Sequence, residues 1–446
     1  MANSMGKQPT VISLFSGALG LDLGLEQVGF ELRVAVECNK YAVETIRLNR
    51  PKVPVIQKRI EETTTKEILA AANLEVGQPT VITAGPSCQA FSTAGRRGSM
   101  GDPRGTLFRE FLRVVREARP RFFVMENVRG VLSAAIRHRP LKERGPGFSS
   151  LRPDEELGSA FLLILRELDL LEYTVVFDLL NAADYGVPQT RERVLFIGSR
   201  DGEMVKMPEP SHSKTAENSL PIWTSLKEGL RGLRDTHPQH TVFTKTEQKY
   251  LGRIPPGGNW RALPKRMQVH AIGAAYDSWG GRSGFLRRLA WSKPCPSLTT
   301  APDGRATMLC HPEKLRPLSV KQYARLQQFP DSWRFAGGVP QQYKQIGNAV
   351  PVRLGKAIGK SLRTAMKSRR RGVLAKKVVC ANSQLLDRIS KRPKTILNPV
   401  RMRKVKSKQA VVKWLANHER YRTEILGYGS EKRSHGDLNN LRGSSC

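Results

Sequence analysis

A thiol and a carboxylate stand at the ends of two neighbouring apolar runs. Cys88 lies in Gly85-Pro86-Ser87-Cys88-Gln89, directly after the strand-like run Thr80 to Thr83, and Glu126 follows Phe122-Phe123-Val124-Met125. Placed at the ends of two adjacent strands, the pair could flank one small planar substrate, an arrangement that suits covalent attack on a pyrimidine ring. A thiolate is accessible near neutral pH and adds to an electron-poor ring. A lone cysteine is ordinarily a packed core thiol, but Gly85, Pro86 and Gln89 describe a tight turn and not a continuing strand. The stretch that follows, Ser92 to Gly101, is glycine-rich and carries Arg96 and Arg97. It reads as a loop able to close over phosphates. Glu126 alone would pass for a solvated strand end. The run Gln189-Thr190-Arg191-Glu192-Arg193 alone would pass for surface ion pairing.

A second constellation opens the chain. Phe15-Ser16-Gly17-Ala18-Leu19-Gly20 sits between a strand-like and a helix-like segment, and two glycines there let backbone approach a ligand. Glu37 ends the next apolar run, where an acidic side chain commonly takes ribose hydroxyls. The spacing falls short of a dinucleotide fingerprint, so it points to a nucleoside cofactor without pyrophosphate.

The elements that must position these groups alternate. Apolar runs at Val11–Phe15, Leu32–Val36, Thr80–Thr83, Phe122–Met125, Tyr173–Phe177 and Val194–Ile197 are separated by helix-like stretches such as Phe108 to Ala118 and Glu155 to Leu168. In the latter, Leu157, Phe161, Ile164, Leu165 and Leu168 recur at helical spacing. This alternation predicts an α/β domain over residues 10–200, a doubly wound and mostly parallel sheet with helices on both faces. Ligands in such sheets collect beyond the carboxyl ends of the strands. Residues 201–315 are rich in Pro, Gly, His and Trp with weak periodicity, and predict a smaller irregular domain. Helices are expected over Ser319 to Phe329 and Val352 to Leu362, in a return segment, 316–365, that completes the first domain. Residues 366–446 hold 21 Lys and Arg against five Asp and Glu. They read as a basic tail, solvated or with a small module around Val411 to Leu426.

Charge names the partner class. The 446 residues carry a formal charge of +35, from 74 Lys and Arg against 39 Asp and Glu, which favours a polyanion. Six cysteines occur singly, with no CxxC pair to indicate zinc or redox chemistry; no metal is expected, and the usage fits a reducing cytoplasm. Residues Met1 to Pro9 lack an apolar signal core, and Phe161 to Leu165 is soon broken by Arg166 and Glu167, so no membrane partner is expected.

In order along the chain, Phe15 to Gly20, Glu37, Gly85 to Ser92, Glu126-Asn127-Val128, Gln189 to Arg193 and Gln345 to Pro351 form a far more specific set than any one block. Asp102 to Leu107 and Arg325 to Asp331 extend it. On these residues the chain resembles the DNA (cytosine-5) methyltransferases over roughly residues 10 to 362. The resemblance implies a Rossmann-like class I fold, S-adenosylmethionine as cofactor and double-stranded DNA as partner, with a target cytosine rotated out of the duplex. It implies that Cys88 adds to C6 and that Glu126 holds N3, with Arg193 and Arg191 on the O2 side. Phe15, Gly17, Ala18, Gly20, Glu37, Pro86, Leu107, Asn348 and Ala349 would enclose the cofactor. Arg96, Arg97 and Thr299 would touch DNA, and residues 201–315 would be the target-recognition domain, with Arg261, Lys265, Arg266, Arg282, Arg287 and Arg288 as candidate readers.

Five positions depart from the family pattern. Leu19 stands where glycine is usual, with the expectation that it crowds the methionine end of the cofactor. Ser87 replaces a proline. Arg59-Ile60 takes the place of an Asp-Ile pair, Cys38 that of a bulkier residue, and Gln322 that of a glutamate. None removes a group required for covalent chemistry. The leading expectation is a monomeric bacterial enzyme of the cytoplasm and nucleoid, the modifying half of a restriction–modification system beside an independently acting endonuclease. A tRNA cytosine-5 methyltransferase and a catalytically weak DNA-binding regulator are the alternatives.

Overall fold

Alternate residues of a strand face opposite ways, and the first domain covers both faces with helices. The structure is a computed structural model that describes residues 8–86, 107–140, 143, 147–203, 205–276, 282–367, 378–381 and 385. Chain order begins β1 (Thr10–Leu14), α1 (Gly20–Glu26), β2 (Glu31–Val36), α2 (Lys40–Asn49), β3 (Val55–Ile56), α3 (Thr65–Ala72), β4 (Val81–Ala84) and α4 (Leu107–Ala118). It continues with β5 (Phe122–Val128), α5 (Ser159–Asp169), β6 (Thr174–Asn181), β7 (Gln189–Thr190) and β8 (Glu192–Ser199). Three short helices follow, α6 (Leu226–Gly229), α7 (Lys245–Leu251) and α8 (Lys265–Ile272), then β9 (Cys295–Pro296). Last come α9 (Val320–Leu326), α10 (Val339–Asn348), α11 (Val352–Lys367) and β10 (Val378–Cys380).

The main sheet runs β10-β6-β8-β5-β4-β1-β2-β3. Its pairings are parallel except at β8, which lies antiparallel between β5 and β6. Successive strands proceed outward from β1 to β3 and then restart on its other side at β4. The reversal leaves a crevice beyond the ends of β1 and β4, the place where doubly wound sheets bind ligands. One face, with Ile12, Leu14, Val34, Ile82, Phe123 and Met125, packs under α3, α4 and α5. The opposite face, with Val11, Val81, Phe122, Val124 and Ile197, packs under α1 and α11.

Glycine sets how closely α1 and α11 approach. A β-carbon on Gly24 would stand 2.4 Å from the Val352 carbonyl oxygen, one on Gly355 2.6 Å from that of Leu21, and one on Gly20 2.2 Å from that of Val350. These are backbone-to-backbone contacts that no side chain can relieve by rotating. The return segment is thereby pressed onto the first turn of the chain.

Two expectations change. The helix predicted from Glu155 starts at Ser159. Glu155 ends a 3-10 turn held by an ion pair with Arg139, and Gly158 (φ +93°) breaks the path, so Leu157 stays on the surface and not in the core. The basic tail is not wholly separate either. α11 runs on to Lys367, and Val378–Cys380 pair in parallel with β6 at the sheet edge. The rest of the tail, including Val411 to Leu426, lies outside the described residues. Among the described residues no helix is long and apolar enough to cross a membrane.

The irregular segment has a core of its own, with Phe243, Leu251, Ile254, Trp260, Leu263, Ile272, Leu286 and Met308. A further cluster joins its Leu226, Leu289, Leu298 and Leu309 to Tyr323, Leu326, Tyr343 and Ile346 of the return helices.

Candidate active site

β1 ends at Leu14 and the chain turns sharply, with left-handed backbone at Phe15 (φ 53°), Gly17 (φ 52°) and Leu19 (φ 64°) before α1 begins. A β-carbon on Gly17 would meet nothing within 4 Å, so the outer side of this turn is open. Glu37, just past β2, faces it. Its carboxylate accepts hydrogen bonds from the backbone N–H of Gly17 and of Asn39, each 2.8 Å. From the far side α10 ends in the exposed Asn348 and the buried Ala349, whose β-carbon would lie 3.1 Å from one on Gly20. Pro86 is buried beyond β4, and Leu107 is half-buried at the start of α4. An open glycine turn, a fixed carboxylate for hydroxyls and an exposed amide fit a nucleoside-bearing group such as S-adenosylmethionine.

Beneath the turn, Asp22 is buried and accepts hydrogen bonds from Ser13 Oγ (2.8 Å) and Thr83 Oγ1 (2.9 Å). It therefore ties α1 to β1 and to β4. Burial pushes its carboxyl up to about 6, against the smaller opposing effect of those two hydroxyls, with the nearby Glu26 charge adding to the rise.

Ser87, Cys88, Arg96 and Arg97 lie outside the described residues. The residues that flank the Cys88 segment converge as follows. β4 pairs with β5 so that Ala84 lies opposite Met125, which sets Gly85 beside Glu126. A β-carbon on Gly85 would be 3.4 Å from Glu126 Oε2. The other oxygen, Oε1, is paired with Arg193 Nε at 2.5 Å. β5 and β8 are antiparallel with Val128 opposite Arg193 and Glu126 opposite Leu195, so acid and guanidinium share one face and meet diagonally. Both side chains are nearly buried at 12% exposure. A charge pair held this far from water is oriented and weakly screened.

Arg191 is placed differently from its expected partner. Only 1% exposed, it donates from Nη1 to the Leu298 carbonyl (3.0 Å) and from Nη2 to the Gly347 carbonyl (2.8 Å). Its guanidinium braces backbone and does not share the Glu126 pairing. Thr299 follows directly: its backbone N–H and carbonyl both meet the Tyr323 hydroxyl, and a β-carbon on Gly347 would lie 2.3 Å from its carbonyl oxygen.

The departures from the family pattern sort themselves by contact. Leu19 is 1% exposed, and its side chain packs inward within the α1–α11 core. Gln322 closes a capping box with Ser319 at the start of α9, a task glutamine and glutamate share. Arg59 is an exposed partner of Glu61 (2.9 Å) and Cys38 is exposed beyond Glu37. In the second domain, Arg282, Arg287 and Arg288 donate to backbone carbonyls of Tyr276, Met308, and Pro312 with Ile254. Arg261, stacked 4.7 Å over Trp260, stays exposed, as do Lys265 and Arg266. Sequence reasoning does not single out Gln189, Gln327 or Asp22. The first two lie inside quoted motifs, but nothing in a linear pattern marks them as buried.

Residues 9–364 match the family profile described as C-5 cytosine-specific DNA methylase. The chain is 36% identical over 359 residues to the type II methyltransferase M.Sau96I of Staphylococcus aureus, covering 80% of this chain and 76% of that one. It is 35% identical over 369 residues to the type II methyltransferase M.PspPI of Psychrobacter sp. (81% and 80%), and 36% over 359 to M.Eco47II of Escherichia coli (79% and 78%). Among solved structures, a prophage-encoded protein of E. coli superposes with a TM-score of 0.53 at 24% identity, covering 81% of this chain and all of that one. The S. pombe Dnmt2 methyltransferase does so at 0.50 and 16%, with the same coverage. These two likenesses speak to the fold.

Proposed function

This chain belongs to the C-5 cytosine-specific DNA methylase family and is a DNA (cytosine-5) methyltransferase; from that premise we propose which residues carry the reaction, and that the enzyme is the sequence-specific, modifying member of a restriction–modification pair. S-adenosylmethionine, when bound, supplies the electrophilic methyl group. Phe15, Gly17, Ala18 and Gly20 cradle it, Glu37 takes its ribose hydroxyls, and Pro86, Leu107, Asn348 and Ala349 close around it. The Cys88 thiolate adds to C6 of a cytosine rotated out of the duplex, which turns C5 into a nucleophile. Glu126 holds N3 while Arg193 fixes the carboxylate and steadies charge on the O2 side. Once C5 carries the methyl group, with S-adenosylhomocysteine as the co-product, its proton passes to water, the ring double bond reforms, and Cys88 departs as thiolate.

Extruding the base costs a few kcal/mol of stacking. Arg96 and Arg97 offset this by gripping flanking phosphates, and Thr299 supports the backbone beside the vacated position. Residues 201–315 act as the target-recognition domain. Arg261, Lys265 and Arg266 are its readers of choice, because Arg282, Arg287 and Arg288 are already committed to backbone carbonyls. The enzyme acts as a monomer on bacterial nucleoid DNA, and its partner endonuclease works independently. Bacterial type II relatives support this setting.

The observation that carries the reading is the Glu126–Arg193 pair between β5 and β8, with Gly85 of the proposed nucleophile's segment against it. Bisulfite sequencing of DNA from cells expressing the protein should show full methylation at one short motif, absent with Cys88→Ala. A duplex bearing 5-fluorocytosine at that motif should trap a covalent adduct. Methylation that survives Cys88→Ala would overturn the proposed chemistry.

A further inference from the structure

Three buried polar side chains join the segment before Thr299 to the turn that carries Asn348. Gln189 accepts from the Leu298 backbone N–H (2.9 Å) and donates to Gln327 Oε1 (2.6 Å). Gln327 in turn donates to the carbonyls of Ile346 (2.8 Å) and Ala349 (2.7 Å). Arg191 closes the circuit from Leu298 to Gly347. Gln189 and Gln327 are fully buried. The chain of bonds starts on a backbone N–H and ends on two backbone carbonyls, groups of fixed polarity, so the two amides between them have one orientation. Buried networks satisfied in this way rigidify what they join, and partial satisfaction is costly. Packing alone would hold these segments together with apolar side chains, as the neighbouring cluster of Leu298, Tyr323 and Ile346 does. Hydrogen bonds add direction: a shift of the Leu298–Thr299 segment strains the bonds that tie it to the end of α10.

We propose that Gln189, Gln327 and Arg191 are positioning residues that couple the DNA-contacting segment at Thr299 to the cofactor-enclosing turn at Asn348–Ala349, so that DNA and cofactor each tighten the binding of the other. The inference rests on the roles proposed above for Thr299 and Asn348. Coupling of this kind is reciprocal, and energies typical of linked sites correspond to factors of about 5 to 150.

Isothermal titration of S-adenosylhomocysteine, with the full chain alone and with sheared unmethylated genomic DNA in excess, measures it directly. The wild type should bind the nucleoside about tenfold more tightly with DNA present. Gln327→Leu removes the side-chain donor to both carbonyls, and Ile346 keeps only the Ala349 backbone N–H; it should weaken binding in the absence of DNA and abolish the enhancement. Gln189→Leu keeps Gln327 bonded to the end of α10 and cuts the amide link to Leu298, leaving the link through Arg191. It should bind the nucleoside alone within about threefold of wild type yet lose most of the DNA-dependent gain. This second variant keeps the test decisive if the first fails to fold. A wild type without enhancement, or a Gln189→Leu protein that retains it, overturns the proposal. Because the readout is binding, a protein that shows coupling but transfers no methyl group would instead count against the proposed chemistry.

Discussion

Glu126 and Asp22 are both buried carboxyls, and their surroundings give them different work. Glu126 is paired with a guanidinium and presents its second oxygen toward Gly85. Glu126→Gln should lower kcat about 10²- to 10⁴-fold while DNA binding by gel shift stays near wild type. Asp22 has hydroxyl partners and no guanidinium, and its pKa rises from 3.8 to about 6 on folding. The folded state thus binds its proton more tightly than the unfolded state. That contribution to stability is complete below about pH 4 and is lost as pH rises through about 6. A rise of this size corresponds to about 3 kcal/mol. Urea unfolding of wild type and Asp22→Asn should therefore show the variant gaining on wild type by up to that amount between pH 4 and pH 7.5; parallel profiles would refute it. Leu19 weighs two effects against each other. Glycine would relieve a left-handed residue by about 1–2 kcal/mol, but it would vacate a buried leucine site worth about 2–5 kcal/mol. Leu19→Gly should lower Tm and leave the KM for S-adenosylmethionine unchanged.

At the scale of elements, the six apolar runs were legible because burial on both faces of a parallel sheet leaves a strong local pattern. Each became a strand within a residue or a few of its expected span. Short pieces were not: Val55–Ile56 and Val378–Cys380 are too brief for periodicity to show, and their strand state comes from the neighbours they pair with. The α1–α11 contact was invisible for another reason. Gly20 and Gly24 read as turn and helix residues, and only their meeting with the backbone around Val350 to Gly355 explains why they lack side chains. Gly24→Ala and Gly355→Ala should each cost about 1–3 kcal/mol in thermal unfolding. The double variant should cost less than the sum, since both relieve one contact.

Over the whole molecule, charge predicts affinity, and specificity is assigned to the second domain only by the proposal above. A truncation meant to remove the basic tail should end after Leu385, because Val378–Cys380 belong to the sheet. The residues it removes carry 15 Lys and Arg against five acidic groups. The slope of log affinity against log salt should fall by about 0.9 for each phosphate that the tail no longer neutralises, while the methylated motif read by bisulfite sequencing stays the same. A changed motif would place part of the recognition surface in the tail. By itself the sequence determined the reaction class, the cofactor class and the strand alternation. These rest on residue types in a fixed order and on local periodicity, both of which survive in a linear string. Tertiary structure alone decided that Arg193 meets Glu126 while Arg191 braces two backbone segments, though they stand two residues apart in one motif. It also bonded Gln327 to the end of α10 and turned Leu19 into the core. Which way a side chain faces, and what it meets across more than a hundred residues of chain, depends on strand register and helix approach, and neither is written in any one segment.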